Sequence, residues 1–397
     1  MFTIKVALLH HVNPSEALIK KGEKAVHNIF QACSYTITDK NPDVLFFISG
    51  GSEQNALGYI KNDPMPLLLA DKENNAYAAA IEVLAWCKGN NQPARIYHYS
   101  HPDSLNEIIE FIRVKRALES LKGQHLGLIG EPSDWLINST VDPKRLKDAT
   151  GMILKQYPWP DMPDYNQYQS PDRFFNAFSN ASHKMLEGSG KIYALLEEHI
   201  RKEELKGISV ECFSLVQKDK VTACLPLALL NNDDLPAACE GDTVSLAGML
   251  ILRALTGKIP WMANIVEIGV EELTLAHCTV PQNLLQSHFV TTHYETGVGT
   301  AVKGIMEEGK YTIVRFNKNL DQVFVAEAET LPHEDMIEAC RTQIRLAINK
   351  NDARLLIEKP LGNHHLLIPG WHGHVLKKMA EVMQMNNNLG GCPKITW

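Results

Sequence analysis

ACEGDTVSLAGMLILRALTGKIPWMANIVEIGVEELTLAHCTVP, residues 238 to 281, holds a change of texture that decides the fold. The apolar run before Glu240 reads as a short buried strand, Thr243 stands where a helix cap is wanted, and VSLAGMLILRAL keeps helical apolar spacing up to Thr256 and Gly257. After Pro260 that period stops. MANIVEI and LTLAHCTV flank the turn-like GVEE, the pattern of paired antiparallel strands. Glu240 and Asp242 therefore fall in a strand-to-helix turn, which in a parallel α/β sheet lies at the carboxyl ends of the strands, where ligands bind. Asp242 has a second reading as part of the helix cap. Asn264 and His277 fall in the β-rich part that follows.

The same alternation extends back to the start of the chain. KVALLH, SEALIKKGEKAVHNIF, DVLFFISGG, PLLLA, AYAAAIEVLAWCKG and ARIYHY alternate strand and helix patterns, and a helix follows over about 102–121. A second unit opens with HLGLIG at 125–130. It runs through an aromatic, Pro-rich stretch, a helix near 181–204, the strand ISVECFSLV and the helix TACLPLALL to the strand ending at Glu240. Beyond 260, YTIVRFN and DQVFVAEAE add further strands. The expected fold is α/β: two doubly wound, Rossmann-like parallel-sheet domains over 1–121 and 122–259, then a mainly antiparallel β domain over 260–397.

A chain of 397 residues, 45% hydrophobic and 21% charged, is large enough for two or three cores. A formal charge of −7 without a Lys/Arg-rich stripe argues against nucleic acid as a partner, and no apolar run reaches membrane-spanning length. The eight cysteines are scattered with no Cys-x-x-Cys pair, which fits reduced thiols in a cytoplasmic protein better than a zinc knuckle or a disulfide framework. Phosphate-loop and dinucleotide fingerprints are missing, which sets kinases and dehydrogenases aside.

Six segments in order resemble the L-fucose and L-arabinose isomerase family, in particular its short L-fucose isomerase-like members. They are PLLLADKENNAYAAAIEVLAW (66–86), LGLIGEPSDWLINS (126–139), AACEGDTVSLAGM (237–249), PWMANIVEI with LTLAHCTVP (260–281), THYETGVGTAVKG (292–304) and GNHH (362–365). The resemblance implies a divalent metal, with Mn²⁺ suiting carboxylate and imidazole donors, held by Glu240, His277 and one histidine of the His364-His365 pair. His364 is favoured, because neighbours on a strand point to opposite faces. Glu240 would also be a catalytic base.

Where the family has a second acidic ligand, this chain has Asn264, or Ala263 with a shift of one residue. An amide can bind a hard metal through its oxygen but is no carboxylate base. Asp242 or Glu295 would then supply the base that enediol chemistry needs at the second carbon. Asn264, His293, Arg315 and Trp135 are the expected substrate contacts, Trp135 by stacking on a sugar ring. The resemblance further implies a monosaccharide substrate and a homo-oligomer, trimer or hexamer, in which loops near Ser49 and Asn74 meet a neighbour's site. Alternatives from other classes are a catalytically silent sugar-binding protein on the same scaffold and a metal-dependent lyase or hydrolase of a sugar derivative. The His10-His11 and His98/His101 pairs, which have no accompanying carboxylate cluster, read as structural.

Overall fold

The computed structural model describes residues 3–389 except 62, 64, 98–103, 333 and 337. The chain is mixed α/β and divides into two compact units, Met1–Lys115 and Arg116–Trp397. In the first, β1 (Ile4–Leu9), β2 (Tyr35–Ile37), β3 (Val44–Phe47), β4 (Leu67–Ala70) and β5 (Arg95–Tyr97) form one parallel sheet in the order β2-β1-β3-β4-β5. VLFF and LLLA are buried along their whole length, as strands covered on both faces must be. The helix Ala76–Gly89 lays Ala79, Ala80 and Val83 into the same core as Phe47 and Leu68.

The second unit carries two sheets. β6 (His125–Ile129), β7 (Ile153–Tyr157), β8 (Gly207–Val210) and β9 (Ala237–Cys239) are parallel, in the order β7-β6-β8-β9. The third sheet runs through β10 (Trp261–Ile268), β11 (Glu272–His277), β12 (Leu285–Thr291), β13 (Ala301–Met306), β14 (Lys310–Phe316), β15 (Gln322–Leu331), β16 (Thr342–Ile348), β17 (His364–Pro369) and β18 (Asn386–Leu389). β15 pairs with β14 over most of its length and with β16 at its end, so β16, β11, β10, β17, β14 and β15 close into an antiparallel barrel. The barrel has β10 and β11 as the hairpin that the sequence announces, with a bulge between Ile265 and Glu267.

One helix joins the two sheets of this unit. Thr243–Thr256 follows β9 and packs against β8 and β9 on one side and β14 and β17 on the other. Its cap is Asp242, not Thr243: the carboxylate accepts the Ser245 N–H at 2.6 Å. Gly248 sits where the helix meets the barrel, and a Cβ there would lie 2.7 Å from Leu366 and 2.9 Å from Phe316, so a larger residue would force the layers apart. The strand read from ISVECFSLV is shorter than expected. It stops at Val210, and a helix starts at Phe213.

Candidate metal centre

Three elements of the second unit bring Glu240, His277 and His364 together. Glu240 leaves the end of β9, His277 closes β11, and His364 opens β17. One ligand atom of each lies within 4.8 Å of the others. Glu240 Oε1 is 3.7 Å from His277 Nε2 and 3.6 Å from His364 Nε2, too long for hydrogen bonds. Neighbouring donors around one cation, with bonds of about 2.1 Å, stand roughly 3 to 3.5 Å apart, so the spacing fits a small ion with little adjustment. His277 Nε2 is buried and has no hydrogen-bond partner, an arrangement that costs free energy unless something fills it.

The backbone at Glu240 is held in an uncommon conformation. Its φ is +61° and that of Gly241 is +75°, two consecutive left-handed residues, and a Cβ on Gly241 would collide with Pro132 and the Glu131 carbonyl. The Glu240 carbonyl accepts the Ser133 N–H, which ties the turn to the loop after β6. Burial alone would raise the Glu240 pKa, but the imidazoles of His277 and His364 outweigh it and hold the carboxyl far below the usual range. Glu240 therefore stays ionised, as a metal ligand must.

Behind His364 stands a buried polar network. His364 Nδ1 donates to Asp242 Oδ2 at 2.9 Å, which leaves Nε2 to face Glu240. Arg315 Nη1 reaches the same Oδ2 at 3.3 Å, and the Ser245 hydroxyl donates to it at 2.8 Å. Burial lowers the His364 pKa, yet Asp242 and Glu240 more than offset it and push the group up to about 9. The Asp242 carboxyl is held low, against its burial, by Arg315 and His364.

Two residues expected to meet substrate or act as a base have other work here. Asp242 is 0% exposed, with both oxygens engaged, so no substrate proton can reach it. Arg315 is 1% exposed, bound by Asp242, Ser245, Ser139 and the Asn138 carbonyl. It supports the floor of the site and is not available to a sugar. Gly362 makes room for it, since a Cβ there would fall 2.4 Å from Nη2.

The rest of the expected set surrounds the triad unevenly. Trp135 is half-exposed, and its indole N–H donates to Glu240 Oε2 at 2.7 Å. Its ring meets Phe213 edge-on, and Phe213 meets His293 in turn. Burial, with His277 adding to it, pushes the His293 pKa down to about 4, so the ring is neutral, and its Nδ1 lies 3.1 Å from the Thr296 hydroxyl. Glu295 is shifted upward by partial burial and by the Glu240 charge.

Asn264 pairs across the sheet with His364, while Ala263 pairs with His365. Directly paired residues project to one face, so Asn264 and not Ala263 shares the face of His364. Its Oδ1 accepts from Asn363 Nδ2 at 2.7 Å. His365 is turned away, with Nδ1 on the Asn363 carbonyl and its ring edge-on to Phe324.

His277 makes one demand on any bound ion. Its Nδ1 accepts the Cys278 N–H at 2.9 Å, which puts the ring's own proton on Nε2. Holding a cation through Nε2 moves that proton to Nδ1, so the Cys278 N–H bond must open for Nδ1 to donate instead to the Thr279 hydroxyl, 3.2 Å away.

Elsewhere, His11 Nδ1 lies 3.0 Å from the Ser49 hydroxyl, a structural role. Ser49, Gly50 and Asn74 line a cavity of about 670 Å³ at the carboxyl ends of β1, β3 and β4. His98 and His101 lie outside the described residues. The seven described cysteines are free, and no helix among the described residues is long and apolar enough to cross a membrane.

No family model matches the chain, and no curated protein matches it.

Proposed function

We propose that the chain is a divalent-metal-dependent aldose–ketose isomerase of the L-fucose and L-arabinose isomerase kind, acting on a free monosaccharide. The observation that carries this is the convergence of Glu240, His277 and His364 from three separate strand ends, with Asp242 fixing the His364 tautomer from behind. A divalent ion there, Mn²⁺ by its donor set, would polarise the two substrate oxygens that exchange roles. Asp242 keeps a proton on His364 Nδ1 and so keeps Nε2 directed at the site. Glu240 remains a carboxylate beside the reacting carbons. Glu295, whose carboxyl is shifted upward by partial burial and the Glu240 charge, is the group that passes a proton to and from the second carbon. His293, a neutral ring, and Trp135 contact hydroxyls and the apolar ring face.

The finer architecture belongs to the same proposal: two Rossmann-like domains, 1–121 and 122–259, and a β-rich domain, 260–397, in a cytoplasmic homo-oligomer built from trimers. Light scattering at micromolar concentration tests the last point, and a monomer would refute it. For the activity, the test is exchange of the substrate's carbon-bound proton with deuterated water, followed by NMR across deoxy-sugars and pentoses. Exchange dependent on added Mn²⁺ supports isomerisation. One observation favours a second reading, a catalytically silent sugar binder: the Asn264 amide, tied to Asn363, stands where a second carboxylate would act. Sugar binding without exchange would select it.

A further inference from the structure

Beside the triad lies a second cavity, of about 460 Å³, at the carboxyl ends of β6, β7 and β8. Its walls include Trp135, Trp159 and Phe213, and its charged lining residues are Glu131, Asp134 and Glu211, with no Lys, Arg or His among them. Glu211 is decisive. It is only 8% exposed, one oxygen accepts the Ser214 N–H at 3.0 Å, and it has no cationic partner among the described residues. A carboxylate that lines a cavity without a counter-charge is free to take a cationic ligand. Ser133, 7% exposed, lines the same cavity, though its Oγ is itself withdrawn from the surface.

The cavity is built by specific close contacts. Gly130, at φ +83°, lets Trp159 and Glu211 close over the end of β6: a Cβ there would lie 2.8 Å from Trp159 Nε1 and 2.9 Å from Glu211 Cβ. The Trp159 N–H is spent on the Glu211 carbonyl at 2.8 Å, so its ring serves as a wall. Phosphate or carboxylate ligands would meet only negative charge. A metal ion is also a poor occupant, because these three carboxylates do not bring ligand atoms within 4.8 Å of one another.

We propose that this cavity binds an organic ammonium group, with the charge on Glu211 and the aromatic faces of Trp135, Trp159 and Phe213 around it. Aromatic rings and carboxylates together are the chemistry that selects a desolvated ammonium. Trp135 belongs to both places, lining the cavity while its N–H holds Glu240. Given the isomerase reading, on which this last step rests, the ligand class is an amino sugar, whose ring and hydroxyls suit Trp135 and the triad side.

Calorimetric titration of the full-length protein with D-glucosamine, N-acetyl-D-glucosamine and D-glucose tests this, in metal-free and Mn²⁺-loaded samples. We expect glucosamine to bind at least about tenfold more tightly than the two neutral probes, equivalent to about 1.4 kcal/mol, with or without metal. Glu211→Gln, which keeps an acceptor for Ser214, should erase the preference. Equal affinities for the three probes, no binding of any, or a preference that survives in Glu211→Gln overturns the proposal. Because the metal-free arm carries the result, failure here is separable from failure of the isomerase reading, which proton exchange decides.

Discussion

His364 and Asp242 form a buried imidazole–carboxylate pair, 2.9 Å from Nδ1 to Oδ2, with side chains almost wholly withheld from water. The pair fixes which nitrogen of His364 faces Glu240. Asp242→Asn keeps a good helix cap but no longer secures a proton on Nδ1. We expect Mn²⁺ affinity to fall about 10- to 100-fold, measured by calorimetry, with the helix content unchanged by circular dichroism. Unaltered affinity would mean that His364 does not bind the ion through Nε2.

Arg315 gives a contrasting expectation, because its guanidinium is locked between Asp242 and two serines. Removing one partner of a buried pair typically costs about 3 to 5 kcal/mol. Arg315→Ala should therefore lower the urea midpoint by that equivalent. A variant as stable as wild type with only a raised KM would restore Arg315 to the substrate-binding set.

Much of the site was legible because its residues interrupt apolar patterns at strand ends. Glu240 and His277 stand out in this way; the His364-His365 pair is singled out only by the family resemblance, with alternation choosing between the two, and in the register His364 pairs with Asn264. Asp242 and Thr243 are both cap formers, and adjacent positions give no signal as to which one turns inward. Arg315 lies in a strand whose two faces are both covered, so alternation could not say that it meets the helix at Asp242 and Ser245. Glu211 was hidden inside ISVECFSLV, where two elements read as one strand. The signal was there: a Glu directly after an apolar run marks a strand end as much as it marks an exposed strand position. Barrel closure rests on four residue pairs between β15 and β16, a non-local fact that no local pattern carries.

Glu295→Gln addresses the proton transfer. On the isomerase proposal, Asn264 stands where a second carboxylate would act and Asp242 is enclosed, so loss of Glu295 should reduce proton exchange by about 10² to 10⁴, with Mn²⁺ content unchanged by elemental analysis. Exchange at the wild-type rate would remove Glu295 from the mechanism.

Asp352 offers a test of pH dependence away from the centre. Burial, helped by Glu327, pushes its carboxyl up to about 6, and one of its oxygens has no partner. A carboxyl that takes up protons more readily when folded costs stability as pH rises from its unfolded value, about 3.9, through about 6. Below that window, Asp352→Asn and wild type should melt together. Above it the variant should be more stable, by on the order of 1 kcal/mol after allowance for water near the group. A gap that is constant from pH 4 to 7 in thermal scans would contradict the assignment.

Whether Glu240, His277 and His364 hold one divalent ion is read directly by Mn²⁺ titration followed by the electron paramagnetic resonance of the free ion. Wild type should take up one Mn²⁺ per chain, with uptake greatly weakened in Glu240→Gln and His277→Gln, both still folded by circular dichroism. No stoichiometric uptake by wild type, or uptake of equal strength in all three proteins, would contradict the account.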